Sequence, residues 1–286
     1  MNQWGAKYNA APPRPLCETL AMPAFLIPTL AALAYLAAGG LLLRSTRQEG
    51  PSLNRMALAL VIPAMLLHTW AHAEDWRALN GPDLHFFAAL SLVSLGMAAL
   101  TTFASLGQRV QALGVVVYPL AAALLLLFHG YGHGRAENLD WRLMLHAWLA
   151  LLAYATLAIS ALLAVMLWFQ ERALRQKQLH GWLRALPPMT QLETLLFRSL
   201  AAGFALLTIA LVTGVLFVQD LLSQHLWHKT SLSVASWLVF AWLLYGRWRH
   251  GWRGPRAVKL TLVAMALLAL AFFGSKYVLE QILHRA

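Results

Sequence analysis

The chain has 286 residues and little charge: Asp, Glu, Lys and Arg together make up 12% of it. That is about half the share in a soluble domain, which excludes a water-soluble globule. Its one cysteine, Cys17, excludes a disulfide framework. It also excludes a Cys-x-x-Cys-His attachment site, so the chain is not itself a c-type cytochrome. Acidic residues are scarce, 11 against 22 Lys and Arg, for a net charge of +11. Such a balance suits nucleic acid only when the charges gather in one patch. Here most fill short gaps between long apolar runs, so the partner implied is membrane lipid and not nucleic acid. Walker A, Gly-x-Ser-x-Gly and His-Glu-x-x-His patterns are missing, as is any carboxylate pair inside an apolar run. The expected role is therefore to bind, handle or transfer a ligand, not to act as an enzyme.

Long uncharged runs dominate what remains. They cover residues 19–43, 56–73, 84–108, 110–134, 143–170, 199–219, 230–246 and 260–275. A charge at the bilayer centre costs about 3 kcal/mol, and a helix needs roughly 17–25 apolar residues to cross. The last two runs are short, but Lys229, Arg247 and Lys276 at their ends can reach the headgroups. None of the runs alternates as barrel strands do. The reading is an all-α polytopic bundle of eight transmembrane helices, one domain over residues 22–286. Of the basic residues between spans, 14 fall in odd-numbered connections and four in even-numbered ones. The positive-inside rule then puts both termini outward, in a bacterial inner membrane.

Residues 1–21, with Pro12, Pro13 and Pro15 and no apolar core, read as a disordered tail or as a stretch before a true start at Met22. Pro63 and Pro119 fall inside spans and predict kinks. Thr190 and Glu193 have the spacing of a capping box opening the sixth helix. His129-Gly-Tyr-Gly-His133-Gly reads as a glycine-rich loop.

Nine of the 11 histidines fall near the expected outer face. Neutral imidazole ligates haem iron, Zn, Cu or Ni, and it is also an ordinary interfacial residue. His68 and His72 are four apart, on one helix face. His225 and His228 flank Trp227 in the third outer connection. Trp70, Trp76, Trp141, Trp148 and Trp227 lie near the same boundary, where an aromatic belt is the ordinary reading and a porphyrin face another. Arg142, Lys229 and Lys276 are placed to meet carboxylates there. From the residues alone, a His-lined metal permease and an assembly scaffold without a ligand stay open.

The second half of the chain carries a resemblance. Leu139-Asp-Trp-Arg-Leu-Met-Leu-His146-Ala-Trp and the Tyr154-Ala that follows resemble the cytochrome c assembly family of CcsA, ResC and CcmC type. So do Trp227-His-Lys229-Thr230 through Trp237-Leu-Val-Phe240-Ala, Gly251-Trp252-Arg-Gly254 and Phe272-Phe-Gly274. Within that family the chain resembles the small eight-helix YpjD- and HemX-like subgroup. The family's Trp-Gly-x-x-Trp-x-Trp-Asp run is missing here, and His228 stands among its polar positions. The resemblance implies haem handling at the outer face in cytochrome c biogenesis, with other assembly proteins as partners and thioether formation left to them. It implies His146 and His284 as iron ligands, with His68 and then His228 as further candidates. Trp141, Trp227, Arg142, Lys229 and Lys276 would surround the haem.

Overall fold

A computed structural model describes residues 25–45, 51–107, 111–131, 139–176, 188–217 and 224–274. Eight α-helices follow one another: α1 (Leu26–Ser45), α2 (Pro51–Leu79), α3 (Phe86–Gly107), α4 (Gln111–Tyr131), α5 (Trp141–Arg175), α6 (Met189–Phe217), α7 (Gln224–His250) and α8 (Pro255–Ala269). A π-helical turn, Leu270–Gly274, continues α8. Tail residues 1–21 lie outside this description.

Among the described residues, seven helices are long and apolar enough to cross a membrane, all but α7. The uncharged stretch of α7 runs only from Thr230 to Gly246 and carries Ser231, Ser233 and Ser236 with Trp237, Trp242 and Tyr245. Hydroxyls and amphipathic rings dilute its apolar character, so the expected count of eight spans is matched for seven.

The helices pack as two groups. In the first, α1 lies against α2 and α4, and α3 against α4. In the second, α5 lies against α6 and α8, and α7 against α6 and α8. Contact between α3 and α5 joins the groups. The longest interface is α5 on α6, and Gly203 sets its closeness. A Cβ there would stand 2.7 Å from the Leu157 side chain and 3.3 Å from its backbone nitrogen. Large apolar side chains such as Phe103, Leu106 and Leu216 point outward from the bundle, which suits lipid and would be a liability in water.

Helix ends depart from expectation in two places. α6 begins at Met189, one residue before Thr190, and the Pro188 carbonyl accepts from the backbone of Gln191 and Leu192. Thr190 is thus inside the first turn and not at its cap. Glu193 reaches across instead, and its Oε1 accepts from the Gly254 backbone nitrogen at 3.1 Å, at the start of α8. His129, Gly130 and Tyr131 are helical, the last turn of α4. Pro63 and Pro119 do sit inside α2 and α4.

Candidate functional site

Histidines gather where α2 and α4 end and α3 and α5 begin. Two groups form there, with different surroundings.

The first centres on α2. His68 and His72 stack at 5.4 Å and converge on one hydroxyl. Ser91 Oγ of α3 lies 2.9 Å from His68 Nε2 and 3.0 Å from His72 Nε2. Tyr35 Oη of α1 is 3.4 Å from His68 Nδ1. Both histidines are buried. The four-residue spacing that suits a metal pair therefore holds a serine, and His68 has both ring nitrogens in hydrogen bonds. Neither Ser91 nor Tyr35 stood out in the sequence. Each is a single hydroxyl in an apolar run, and only the packing of α1, α2 and α3 brings them to the imidazoles.

The second group is built on α5. Its N-terminus is capped by Asp140, whose Oδ1 accepts from the Trp141 backbone nitrogen at 2.8 Å. One and a half turns on, His146 points at α6. Its Nδ1 lies 3.0 Å from the Ala210 carbonyl and 3.2 Å from Thr213 Oγ1. A carbonyl only accepts, so Nδ1 carries the proton. The Thr213 hydroxyl donates to the same Ala210 carbonyl at 2.9 Å, so its oxygen also accepts from Nδ1. The ring is held in one tautomer, with the Nε2 lone pair left over. Imidazoles that bind metals are commonly oriented in this way. Gly214 makes room for the ring, since a Cβ there would stand 3.1 Å from His146 Cε1.

His146 lines a cavity of about 300 Å³ with Leu143, Ala147, Tyr154, Phe272 and Lys229. That volume is in the range of small-molecule pockets. Its walls are apolar apart from the imidazole, the Tyr154 ring and the Lys229 chain. The Tyr154 hydroxyl donates to the Leu268 carbonyl at 2.7 Å, just before the π-helical turn. That turn brings Phe272 and Phe273 against the tyrosine ring, with centroids at 5.7 and 5.5 Å. Tyr154→Phe removes this bond from a buried carbonyl. We expect it to lower stability by about 1 kcal/mol, read as a lower unfolding midpoint in detergent.

The other sequence candidates are distributed as follows. Trp141 is exposed, and the Arg142 guanidinium lies 5.6 Å over its ring, at the surface and away from the cavity lining. Lys229 is in the cavity wall. His284 and Lys276 lie outside the described residues, and so do the side chains of Trp227 and His228. Trp76 meets Trp148 edge to face at 5.6 Å; both line a second crevice, between α2, α3 and α5. Among the described residues, no three His, Cys, Asp or Glu side chains gather as a metal site.

Residues 52–283 match the sequence family described as Cytochrome C assembly protein. The chain belongs to the cytochrome c assembly family. Within that family's range of sequences it is 32% identical to Inner membrane protein YpjD of Escherichia coli (strain K12), over 91% of this chain and all of that protein. It is 38% identical to an uncharacterized 28.8 kDa protein of Azospirillum brasilense, over 49% of this chain and 52% of the other. The Cytochrome c biogenesis protein CcsA of Chlamydomonas reinhardtii is 23% identical over 75% of this chain and 62% of its own length. No solved structure matches significantly. The family match spans both helix groups, whereas the motifs legible by eye lay in the second half alone.

Proposed function

We propose that this member of the cytochrome c assembly family binds haem in the cavity between α3, α5, α7 and the π-helical turn. The observation that carries the reading is His146. Its Nδ1–H is fixed on the Ala210 carbonyl, its Nε2 is free of hydrogen bonds among the described residues, and it lines an apolar cavity that also holds Lys229. The donor set fits the group: a neutral imidazole for the iron, apolar walls for the macrocycle and a cation for a propionate. Bound there, haem would supply the iron and the vinyl carbons that cytochrome c maturation needs. The protein's own part is to hold the imidazole in one tautomer, to keep water from the apolar wall and to place a positive charge at the cavity. Thioether formation falls to partner assembly proteins, so this chain carries and presents and is not itself the enzyme.

The same reading places the protein in the inner membrane of a bacterium, in line with the name of its YpjD relative, and takes the His146 end as outward. It also takes α7 as an eighth span with its arginine-rich end inward. Reporter fusions after Arg109 and Lys177 are expected to behave as cytoplasmic. Fusions after Gly132 and at Ala286 are expected to be external. A cytoplasmic Ala286 fusion would remove α7 from the spans, and a full reversal would remove the outer site.

The direct test is the absorption spectrum of the full chain purified in detergent, with and without dithionite. A Soret band that shifts on reduction is the expected result. If the protein carries no haem and takes up none when hemin is supplied, the reading fails.

A further inference from the structure

At the end of α5 far from His146, charge begins where hydrocarbon stops. The uncharged run 143–170 rises about 42 Å as a helix, enough to cross the bilayer with its headgroup layers. Glu171, Arg172 and Arg175 follow directly, so they stand at the level of the lipid phosphates. α8 packs against α5 and starts at this end, with Arg256 and Lys259 near its start.

Between the two helix ends lies an open groove of about 310 Å³. Trp168, Glu171, Arg172 and Arg175 of α5 line it, with Pro255 of α8. Trp168, Arg172 and Arg175 follow the spacing that puts residues on one helix face. The Arg172 guanidinium lies 5.6 Å over the Trp168 ring, a stacking that holds its planar fork in place. Arg175 Nη2 donates to Glu171 Oε1 at 2.7 Å. Arg253, Arg256 and Lys259 are exposed, within about one turn of Pro255. Trp168 and, two turns beyond Pro255, Val263 are exposed apolar surface on the membrane side.

Charge at this groove is unbalanced. Glu171 is held by Arg175, and Glu193 by the Gly254 backbone nitrogen. Among the described residues, no carboxylate pairs with Arg172, Arg253, Arg256 or Lys259. The sequence that follows α5, residues 177–187, adds Lys177 and Arg184 and no acidic residue, so it does not supply the missing anion. Topology alone explains an excess of cations at one side of a membrane. It requires only their number, and not a guanidinium laid on an indole in the wall of a groove between two helices. Basic pockets between spans on the cytoplasmic side suit lipid phosphates.

We propose that this groove binds an anionic phospholipid of the adjoining leaflet, the inner one in the topology given above. The Arg172 fork donates to the phosphate, Arg256 and Lys259 add charge from α8, and the acyl chains lie along Trp168 and Val263. The lipid thereby ties the start of α8 to the end of α5. None of these residues belongs to the His146 cavity, so the inference stands apart from the haem reading.

The test is native mass spectrometry of the full chain, purified in detergent and titrated with phosphatidylglycerol. Phosphatidylethanolamine with the same acyl chains and inorganic phosphate are the parallel probes. Phosphatidylglycerol is expected to bind at concentrations where phosphatidylethanolamine does not, and inorganic phosphate should not displace it. Arg172→Gln should weaken binding about fivefold, the worth of one cation beside an anionic surface. Glu171→Gln should tighten it, because the change removes the negative charge in the wall and frees Arg175; misfolding does not produce such a gain. Arg249→Gln removes an equal charge from the end of α7, outside the groove lining, and should leave binding unchanged. Equal binding of the two lipids, or equal losses in Arg172→Gln and Arg249→Gln, would overturn the site and leave the cations to topology. Displacement by inorganic phosphate would overturn the lipid assignment in favour of a free anion.

Discussion

Replacing His146 by Ala is expected to abolish the Soret band of the purified protein, or to move it to the position of weakly held haem. The imidazole is the one side chain in the cavity that combines a fixed tautomer with an available nitrogen. On that reading the iron would lose its protein ligand there, leaving apolar contact with Leu143, Ala147 and Phe272 and the Lys229 charge to hold the macrocycle. Thr213→Val tests the same geometry more gently. It leaves the bond to the Ala210 carbonyl but removes the second acceptor for Nδ1–H, at 3.2 Å. Changes at partners that orient a metal-binding histidine cost about 10–100-fold in affinity, and a loss toward the lower end of that range is expected, measured by hemin titration. His180→Ala and His250→Ala should leave the spectrum unchanged; His250 ends α7 at the opposite, arginine-rich end of the bundle. An unchanged Soret band in His146→Ala would remove the site from this cavity.

Gly203→Leu should have a comparably large effect by a different route. Its Cβ would stand 2.7 Å from Leu157 Cγ and 3.3 Å from the Leu157 backbone nitrogen. A rotamer change can move the leucine side chain, but the backbone of α5 cannot give way without parting from α6. Overpacking of this kind costs about 1–3 kcal/mol, seen as a lower thermal midpoint in detergent. Because His146 on α5 is held by Ala210 on α6, the same change should weaken haem retention. Gly40→Leu is the control. A Cβ at Gly40 meets nothing within 4 Å, so the midpoint should stay where it is. Equal midpoints for Gly203→Leu and wild type would show that the α5–α6 interface is not closed by this glycine.

Much of this architecture was written in one dimension. Hydrocarbon rejects charge, so uncharged runs mark helices regardless of what the helices touch. That is why the helix count was legible, and why α5, with the longest uncharged run, became the longest helix. It also explains the least certain span. In α7 the serines and tryptophans weaken the apolar signal, and some of these groups find partners only in the fold. Ser236 donates to the Ala264 carbonyl at 2.7 Å, and Trp237 Nε1 to Thr208 Oγ1 at 2.9 Å.

The sites were legible only in part. His146 was found through a local motif, because its neighbours along one helix are close in sequence. What makes it a suitable ligand is not local: the Ala210 carbonyl is 64 residues away and Lys229 belongs to another helix. Glu193 had the spacing of a helix cap, yet it bonds Gly254, because α6 starts one residue earlier than that spacing assumes. The sequence alone determined that this is a helical, membrane-embedded chain with its histidines concentrated toward one end, since composition and spacing act through the solvent. The tertiary structure decided which histidine is held on a backbone carbonyl of a neighbouring helix and which two share the Ser91 hydroxyl. That choice depends on the hydroxyl or carbonyl that a neighbouring helix happens to present, at hydrogen-bond distances no periodicity encodes.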